Sequence, residues 1–140
     1  MEVSSIERTL TEIDHRRLTV LMQRVKSDPR LLPFLEPLDE LLSYSDLVEP
    51  ARVPPDVVTM YSRVLLEDLS GTAPAKFTVC YPEDAEPAQG FVSVLSPVGT
   101  SLLGLRVGDV AHWQVPHGVA QSARVREMLF QPEATGDYSL

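Results

Sequence analysis

The stretch SVLSPVGTSLLGLRVGD, from Ser93 to Asp109, decides the fold of most of the chain. Ser96 is a favourable N-cap, Pro97 suits the first position of a helix, and Gly104 suits the position just past its end. The residues on either side are rich in Val and Leu, which is typical of strands. The stretch therefore predicts a strand, a short helix and a second strand, in that order.

Outward from this stretch, apolar residues recur with a period of two, and Gly, Pro and Asp separate the segments. Five strands are predicted, at Ser62–Asp68, Lys76–Tyr81, Phe91–Leu95, Asp109–Val115 and Ser122–Phe130. Pro116-His117-Gly118 is typical of a hairpin turn between the last two strands. This order of elements predicts an α+β domain, in which a bent antiparallel sheet wraps around one short helix.

The first third of the chain has helical periodicity instead. Apolar residues follow helical spacing in two stripes, 18–25 and 31–42, joined by a short Pro-containing break. We expect a short antiparallel helical hairpin, whose first helix is capped by Asp14 or begins earlier, at a capping box from Thr9 to Glu12. Helices of roughly 13–15 residues would be only about 20 Å long.

A segment with three prolines, Glu49–Asp56, follows the second stripe. Proline stiffens a connecting segment, so we interpret this one as a linker. The predicted organisation is therefore a helical hairpin at 1–49, which forms a short coiled coil, a linker at 50–56 and the sheet domain at 57–140.

The charge of the chain limits the partners that it can have. Twelve Lys and Arg residues face 20 Asp and Glu residues, for a net charge of −8, which argues against nucleic acid as the principal ligand. The single cysteine, Cys80, suits a reducing compartment. The sequence shows neither a signal peptide nor an apolar run of about 20 residues, so we expect a cytoplasmic protein without membrane contact.

The Ser93–Asp109 block resembles the C-terminal domain of the GreA/GreB transcript-cleavage factors. That family has a strand, Ser-Pro opening a short helix, a Gly-rich exit and then V-G-D. Two further motifs, PDVVTM (Pro55–Met60) and QPEATGDY (Gln131–Tyr138), make the chain resemble one branch of this family, in which the hairpin is short. The resemblance implies an FKBP-like fold that docks on the rim of the secondary channel of RNA polymerase. For this branch it also implies an indirect effect on nucleoside diphosphate kinase levels, without kinase activity.

The resemblance implies that the residues around the Ser-Pro corner contact RNA polymerase, namely Leu95, Ser96, Pro97 and Val98. Ser96 and Pro97 would begin the helix in any case, so capping alone also explains them. Leu95 stands where the Gre pattern often has an acidic residue, which would make the contact more apolar.

Gre factors use two acidic residues at the tip of a long coiled coil to help hold a second catalytic metal. The predicted hairpin tip has one carboxylate and consists of Lys26, Ser27, Asp28 and Arg30. Asp28 is favoured as a helix N-cap before Pro29, and one monodentate ligand holds Mg²⁺ poorly. The basic residues of the hairpin are explained by a solvent-exposed helix face. Alternatively, they determine which acidic surfaces of the channel the hairpin contacts. We predict no catalytic residue and no metal site.

Three functions stay open. The favoured one is a monomeric regulator that binds polymerase, competes with Gre factors and meets DNA and RNA only through polymerase. The others are a shortened cleavage factor and an FKBP-like isomerase or chaperone; isomerases need an aromatic-lined pocket, and aromatics are 6% of the residues. No cofactor or small-molecule substrate is expected. His15, His112 and His117 lack zinc-ligand spacing, and Cys80 suits a small buried side chain.

Overall fold

The computed structural model describes residues 7–69, 73–114, 118 and 120–139. The described residues form three α-helices and seven strands: β1 Thr9–Thr11, α1 Glu12–Val25, α2 Leu32–Tyr44, β2 Asp46–Val48, β3 Arg63–Asp68, β4 Ala75–Cys80, β5 Phe91–Ser93, α3 Pro97–Leu102, β6 Val110–Gln114 and β7 Ala120–Phe130. The predicted α+β class is confirmed, while the FKBP-like classification stays a prediction. Apart from Gly118, the turn predicted at 116–118 lies outside the described residues.

Strands β3 to β7 form one curled sheet with the order β5-β4-β3-β7-β6. The pairs β3–β4, β3–β7 and β6–β7 are antiparallel, but β5 runs parallel to β4. The prediction of a fully antiparallel sheet was therefore wrong at this edge, because the connection 81–90 returns the chain before it re-enters the sheet. Two register shifts between β3 and β7 bend the long strand, as β-bulges do.

Helices α1 and α2 form the predicted antiparallel hairpin. A hydrogen-bond contact of 2.9 Å between His15 Nε2 and the Leu42 carbonyl joins the start of α1 to the end of α2. The N-cap of α1 is Thr11, whose Oγ1 accepts a hydrogen bond from the Asp14 N–H at 3.0 Å. The prediction of Asp14 as the cap was wrong, because the extended backbone that a cap needs lies at Thr11, where β1 ends.

The helical hairpin and the curled sheet share one hydrophobic core. Leucines from both helices are buried in the same cluster as residues from the sheet and α3; the cluster includes Leu18, Leu21, Leu35, Leu38, Val64, Val94, Leu102 and Val125. Full burial of such a side chain contributes about 1.5–3 kcal/mol relative to exposure. The hairpin is therefore packed against the sheet.

A second, smaller sheet lies at the base of the hairpin, where β1 and β2 pair in parallel. Each strand has three residues, so neither gave a recognisable period in the sequence. Among the described residues, no helix has the length and apolar character needed to cross a membrane.

Candidate docking site

The corner between β5 and α3 is held by a local set of hydrogen bonds. Ser96 Oγ accepts from the Gly99 N–H at 3.1 Å and donates to the Ser93 carbonyl at 2.6 Å. Ser93 Oγ in turn accepts from the Leu95 N–H at 3.0 Å. The structure confirms that Ser96 is the N-cap and Pro97 the first helical residue, because both signals act within one turn of helix.

Gly99 brings α3 unusually close to β5. A Cβ atom at this position would lie 2.0 Å from the Ser93 carbonyl oxygen, a distance that backbone cannot accommodate. One residue further on, Thr100 Oγ1 donates to the Val94 carbonyl at 2.5 Å. The corner is therefore held by hydrogen bonds between side chains and backbone, and by the close approach of Gly99 to the Ser93 carbonyl.

The four residues predicted to contact polymerase are not equally accessible. The Leu95 side chain is 6% exposed and belongs to the core, whereas Ser96, Pro97 and Val98 are half-buried. Only the latter three present appreciable surface. Their contact with polymerase stays a prediction.

A groove of about 990 Å³ runs beside this corner, between α2 on one side and α3 with β6 on the other. Its lining is largely apolar and includes Leu95 and Pro97 together with Phe34, Pro37, Tyr44, Val110 and Trp113. The groove was missed in the sequence because its walls come from segments that are distant along the chain. No local sequence pattern indicates that these segments lie close together in the fold.

The base of the hairpin is tied to the end of α3 by Arg8. The Arg8 guanidinium donates to the carbonyls of Thr100 at 3.1 Å and Leu103 at 2.8 Å, where helix carbonyls lack partners. Beside it, the Thr9 N–H donates to the Gly104 carbonyl at 3.1 Å. Burial lowers the pKa of Arg8, although Asp109 opposes this. These contacts join the start of β1 to the end of α3, beside the groove.

A buried carboxyl group makes a second tie between the hairpin and the sheet domain. Asp14 is 2% exposed, and its Oδ2 accepts a hydrogen bond from the Met60 N–H at 3.1 Å. The pKa of Asp14 is raised to about 7, mainly because the carboxyl group is buried. The hydrogen bond from Met60 and the charge of Arg17 oppose this rise, whereas the charge of Glu133 adds to it. Helical spacing alone places Asp14 in the first turn, so its burial could not be read from the sequence.

At the hairpin tip, the carboxylate of Asp28 is hydrogen-bonded to Arg30. Asp28 accepts from the Arg30 backbone N–H at 3.0 Å and from the guanidinium at 3.1 and 2.8 Å. These bonds lower the pKa of Asp28. The prediction of Asp28 as an N-cap was wrong: the N-cap of α2 is Leu31, because residues 29–31 form a turn first. Lys26 and Ser27 are exposed.

Two further candidate residues, Cys80 and His112, lie in the sheet and have local partners there. Cys80 is fully buried, its thiol lies 3.5 Å from the Val92 carbonyl, and burial raises its pKa to about 11. A thiol with this pKa is a poor nucleophile. His112 pairs with Ser122 Oγ at 2.7 Å. Within the described part of the chain, no three His, Cys, Asp or Glu residues lie close enough to hold a metal ion.

Comparison with known proteins adds a family match and close relatives. Residues 53–128 match the family model of the transcription elongation factor GreA/GreB C-terminal domain. The regulator of nucleoside diphosphate kinase of Escherichia coli K12 is 39% identical over 131 residues, which cover 94% of this chain and 95% of that protein. GreA of Chloroherpeton thalassium is 33% identical over 82 residues, 59% of this chain and 52% of GreA.

A solved structure shows the same fold. The prokaryotic transcription elongation factor GreA/GreB from Nitrosomonas europaea superposes with a TM-score of 0.74 at 31% identity, and the match covers 89% of this chain and all of that one. The chain thus matches one group of relatives over nearly its whole length and spans about half the length of the GreA relative.

Proposed function

Since this chain belongs to the GreA/GreB family of transcription elongation factors, we propose that it binds RNA polymerase at the rim of the secondary channel and competes there with Gre factors, without stimulating RNA cleavage. Members of the family bind RNA polymerase and are regulators rather than classical enzymes.

The proposal is supported by a Gre-type domain joined to a short hairpin, whose tip has a single carboxylate that is hydrogen-bonded to Arg30. Helices of 14 and 13 residues are about 20 Å long, which is short for a coiled coil that must reach the polymerase active site. The Asp28 carboxylate at the tip is engaged by Arg30, and the tip offers no second one. A catalytic Mg²⁺ needs free carboxylate oxygens. The protein would therefore occupy the channel without supporting metal-dependent RNA cleavage.

In this proposal, residues 57–140 dock, residues 1–49 enter the mouth of the channel, and residues 50–56 connect them. On the surface of this protein, the contact with polymerase would be made by Ser96, Pro97 and Val98, next to the buried Leu95. An effect on nucleoside diphosphate kinase, suggested by the name of the Escherichia coli relative, would be indirect and would follow from altered transcription.

Direct binding tests the proposal. Labelled protein is titrated with core RNA polymerase, and GreB is then added as a competitor. We expect saturable binding and displacement by GreB, since both would cover the same rim. Failure to bind at micromolar polymerase would contradict the proposal, and so would binding that GreB leaves unchanged.

A charge placed on the corner locates the contact. Pro97→Glu keeps a residue favoured in the first helical turn but puts a carboxylate into the proposed interface. Pro87→Glu is the matched control, because Pro87 also begins a short helical turn and is exposed. We expect about tenfold weaker polymerase binding for Pro97→Glu alone, with an unchanged circular dichroism spectrum. Equal binding of both variants would remove the corner from the interface.

A further inference from the structure

A second cavity, of about 630 Å³, lies between α1 and the short turn that follows β4. It shares no lining residue with the groove beside the β5–α3 corner. Sites that bind small molecules span about 300–1,000 Å³, so this cavity has a suitable size. Its lining combines three arginines, two tyrosines and two carboxylates, and each of these groups suits a different part of a ligand.

The arginines of the cavity, Arg16, Arg17 and Arg24, all come from α1. Residues 15–27 contain four Lys and Arg residues and no Asp or Glu, although the whole chain has a net charge of −8. Arg17 donates a hydrogen bond to the Ser139 carbonyl at 3.3 Å. Arg16 and Arg24 are exposed, and neither forms an ion pair within the described part of the chain. Guanidinium groups bind phosphate oxygens through parallel N–H donors, so this wall favours a phosphorylated ligand.

Two tyrosines form the aromatic part of the cavity. The ring centroids of Tyr61 and Tyr81 are 5.8 Å apart, with an angle of 54° between the ring planes. Tyr61 has a φ of 67°, and no other described residue except glycine has a positive φ. A bulky side chain rarely adopts this conformation, and such strain is found most often at binding and catalytic sites. The half-buried Tyr61 ring therefore suits a stacking contact with a planar group.

The two carboxylates, Glu83 and Asp84, lie in the turn after β4 and are exposed. Asp84 accepts a hydrogen bond from the Tyr61 hydroxyl group. The Glu83 side chain has no hydrogen bond or ion pair with the other residues that the structure describes. A carboxylate can accept two parallel hydrogen bonds. Among the common bases, guanine presents two adjacent N–H donors, at N1 and N2, which match such an acceptor.

We propose that this cavity binds a guanine nucleotide. The phosphates would face Arg16, Arg17 and Arg24, the base would stack on Tyr61, and its N1 and N2 donors would face Glu83. This inference goes beyond the proposed function, because the cavity includes none of the residues of the β5–α3 corner. A bound nucleotide would leave that corner accessible, so the protein could hold the nucleotide and polymerase at the same time.

Calorimetric titration of the whole chain with GDP, in the absence of polymerase, tests the proposal. Three further ligands each lack one feature: guanosine has no phosphate, inorganic pyrophosphate has no base, and ADP has no paired N1 and N2 donors. We expect GDP to bind at least about tenfold more tightly than each of them, and more weakly as salt is raised. Equal binding of GDP and pyrophosphate would show an unspecific anion-binding patch and overturn the inference. Tighter binding of single-stranded RNA than of GDP would also overturn it.

Two double variants of equal charge change locate the phosphate contacts. Arg16→Gln with Arg24→Gln removes two charges from the cavity, whereas Arg124→Gln with Arg126→Gln removes two exposed charges outside it. We expect at least about tenfold weaker GDP binding for the first variant and less than about twofold change for the second. Equal weakening by both variants would show that GDP responds only to the overall charge of the protein, which contradicts the proposed site.

Three single variants test the contacts with the base. Tyr61→Asn removes the ring but tolerates a positive φ, and Tyr61→Phe keeps the ring and removes the hydroxyl group. We expect about tenfold weaker GDP binding for Tyr61→Asn alone, with unchanged circular dichroism spectra. Because Glu83 is exposed, Glu83→Gln leaves the core intact, and it should reduce the preference for GDP over ADP. Wild-type binding by Tyr61→Asn, or an unchanged preference in Glu83→Gln, would overturn the inference. Since polymerase is absent, such a failure leaves the proposed function untouched.

Discussion

Replacing Asp14 with asparagine should change how the stability of the protein depends on pH. In the folded protein, burial raises the pKa of Asp14 to about 7 from an ordinary value of 3.8. Between these two pH values the unfolded chain releases the proton while the folded chain keeps it. Folding therefore takes up a proton in this window, so the free energy of unfolding falls as the pH rises.

The size of the effect follows from the two pKa values. Linkage predicts that ionisation of Asp14 removes about 3 kcal/mol of stability between pH 5 and pH 8, which is large for a domain stable by about 5–15 kcal/mol. The groups that act on this carboxyl are the backbone N–H of Met60, Glu133, Arg17 and the Thr11 side chain. Tyr81 is also close enough to feel its charge. Burial also raises the pKa of Glu133, so part of the slope should remain in the variant.

The asparagine side chain of the Asp14→Asn variant can still accept the hydrogen bond from Met60 through its amide oxygen, but it carries no charge. We therefore expect this variant to match or exceed the wild type in stability at pH 8 and to lose much less stability from pH 5 to pH 8. Urea unfolding followed by circular dichroism at both pH values measures this. Asp39→Asn, on an exposed face of α2, is the control and should keep the wild-type slope. An unchanged slope in Asp14→Asn would refute the reasoning.

Three further predictions concern the corner, the tip and the thiol. Ser96→Ala should lower the free energy of unfolding by about 1 kcal/mol through loss of the N-cap, whereas Ser43→Ala, exposed within α2, should not; equal urea midpoints would contradict the cap. Asp28→Ala should leave polymerase binding intact, and neither it nor the wild type should shorten RNA in backtracked complexes with Mg²⁺; cleavage that this variant abolishes would show that the carboxylate is catalytic. Cys80 should react with a thiol reagent only after unfolding, and fast labelling of the folded protein would show that the thiol is accessible.

The elements that could be predicted are those set by neighbouring residues. The cap at Ser96, the first-turn position of Pro97 and the strands on either side of α3 each depend on a few adjacent side chains. The two leucine stripes of the hairpin likewise appear within one helix. These signals are local, and the structure places a strand or a helix turn where each of them predicts one.

What could not be predicted depends on long-range contacts. Arg8 binds carbonyls 92 and 95 residues away, and Asp14 binds the Met60 backbone 46 residues away. The parallel pairing of β5 with β4 depends on the path of a loop, and the groove depends on the packing of both α2 and β6 against α3. The site is therefore a tertiary feature, although one of its edges, Ser96-Pro97, was recognisable from the sequence.

We propose above that the protein occupies the secondary channel of polymerase without supporting cleavage. The most direct measurement titrates it into backtracked elongation complexes that contain a fixed amount of GreB and follows RNA shortening over time. We expect no shortening with this protein alone, and progressive loss of GreB-dependent shortening as its concentration rises. The Pro97→Glu variant should need about tenfold higher concentration for the same loss. RNA shortening by the protein alone, or GreB activity that an excess of the protein leaves unchanged, would contradict this proposal.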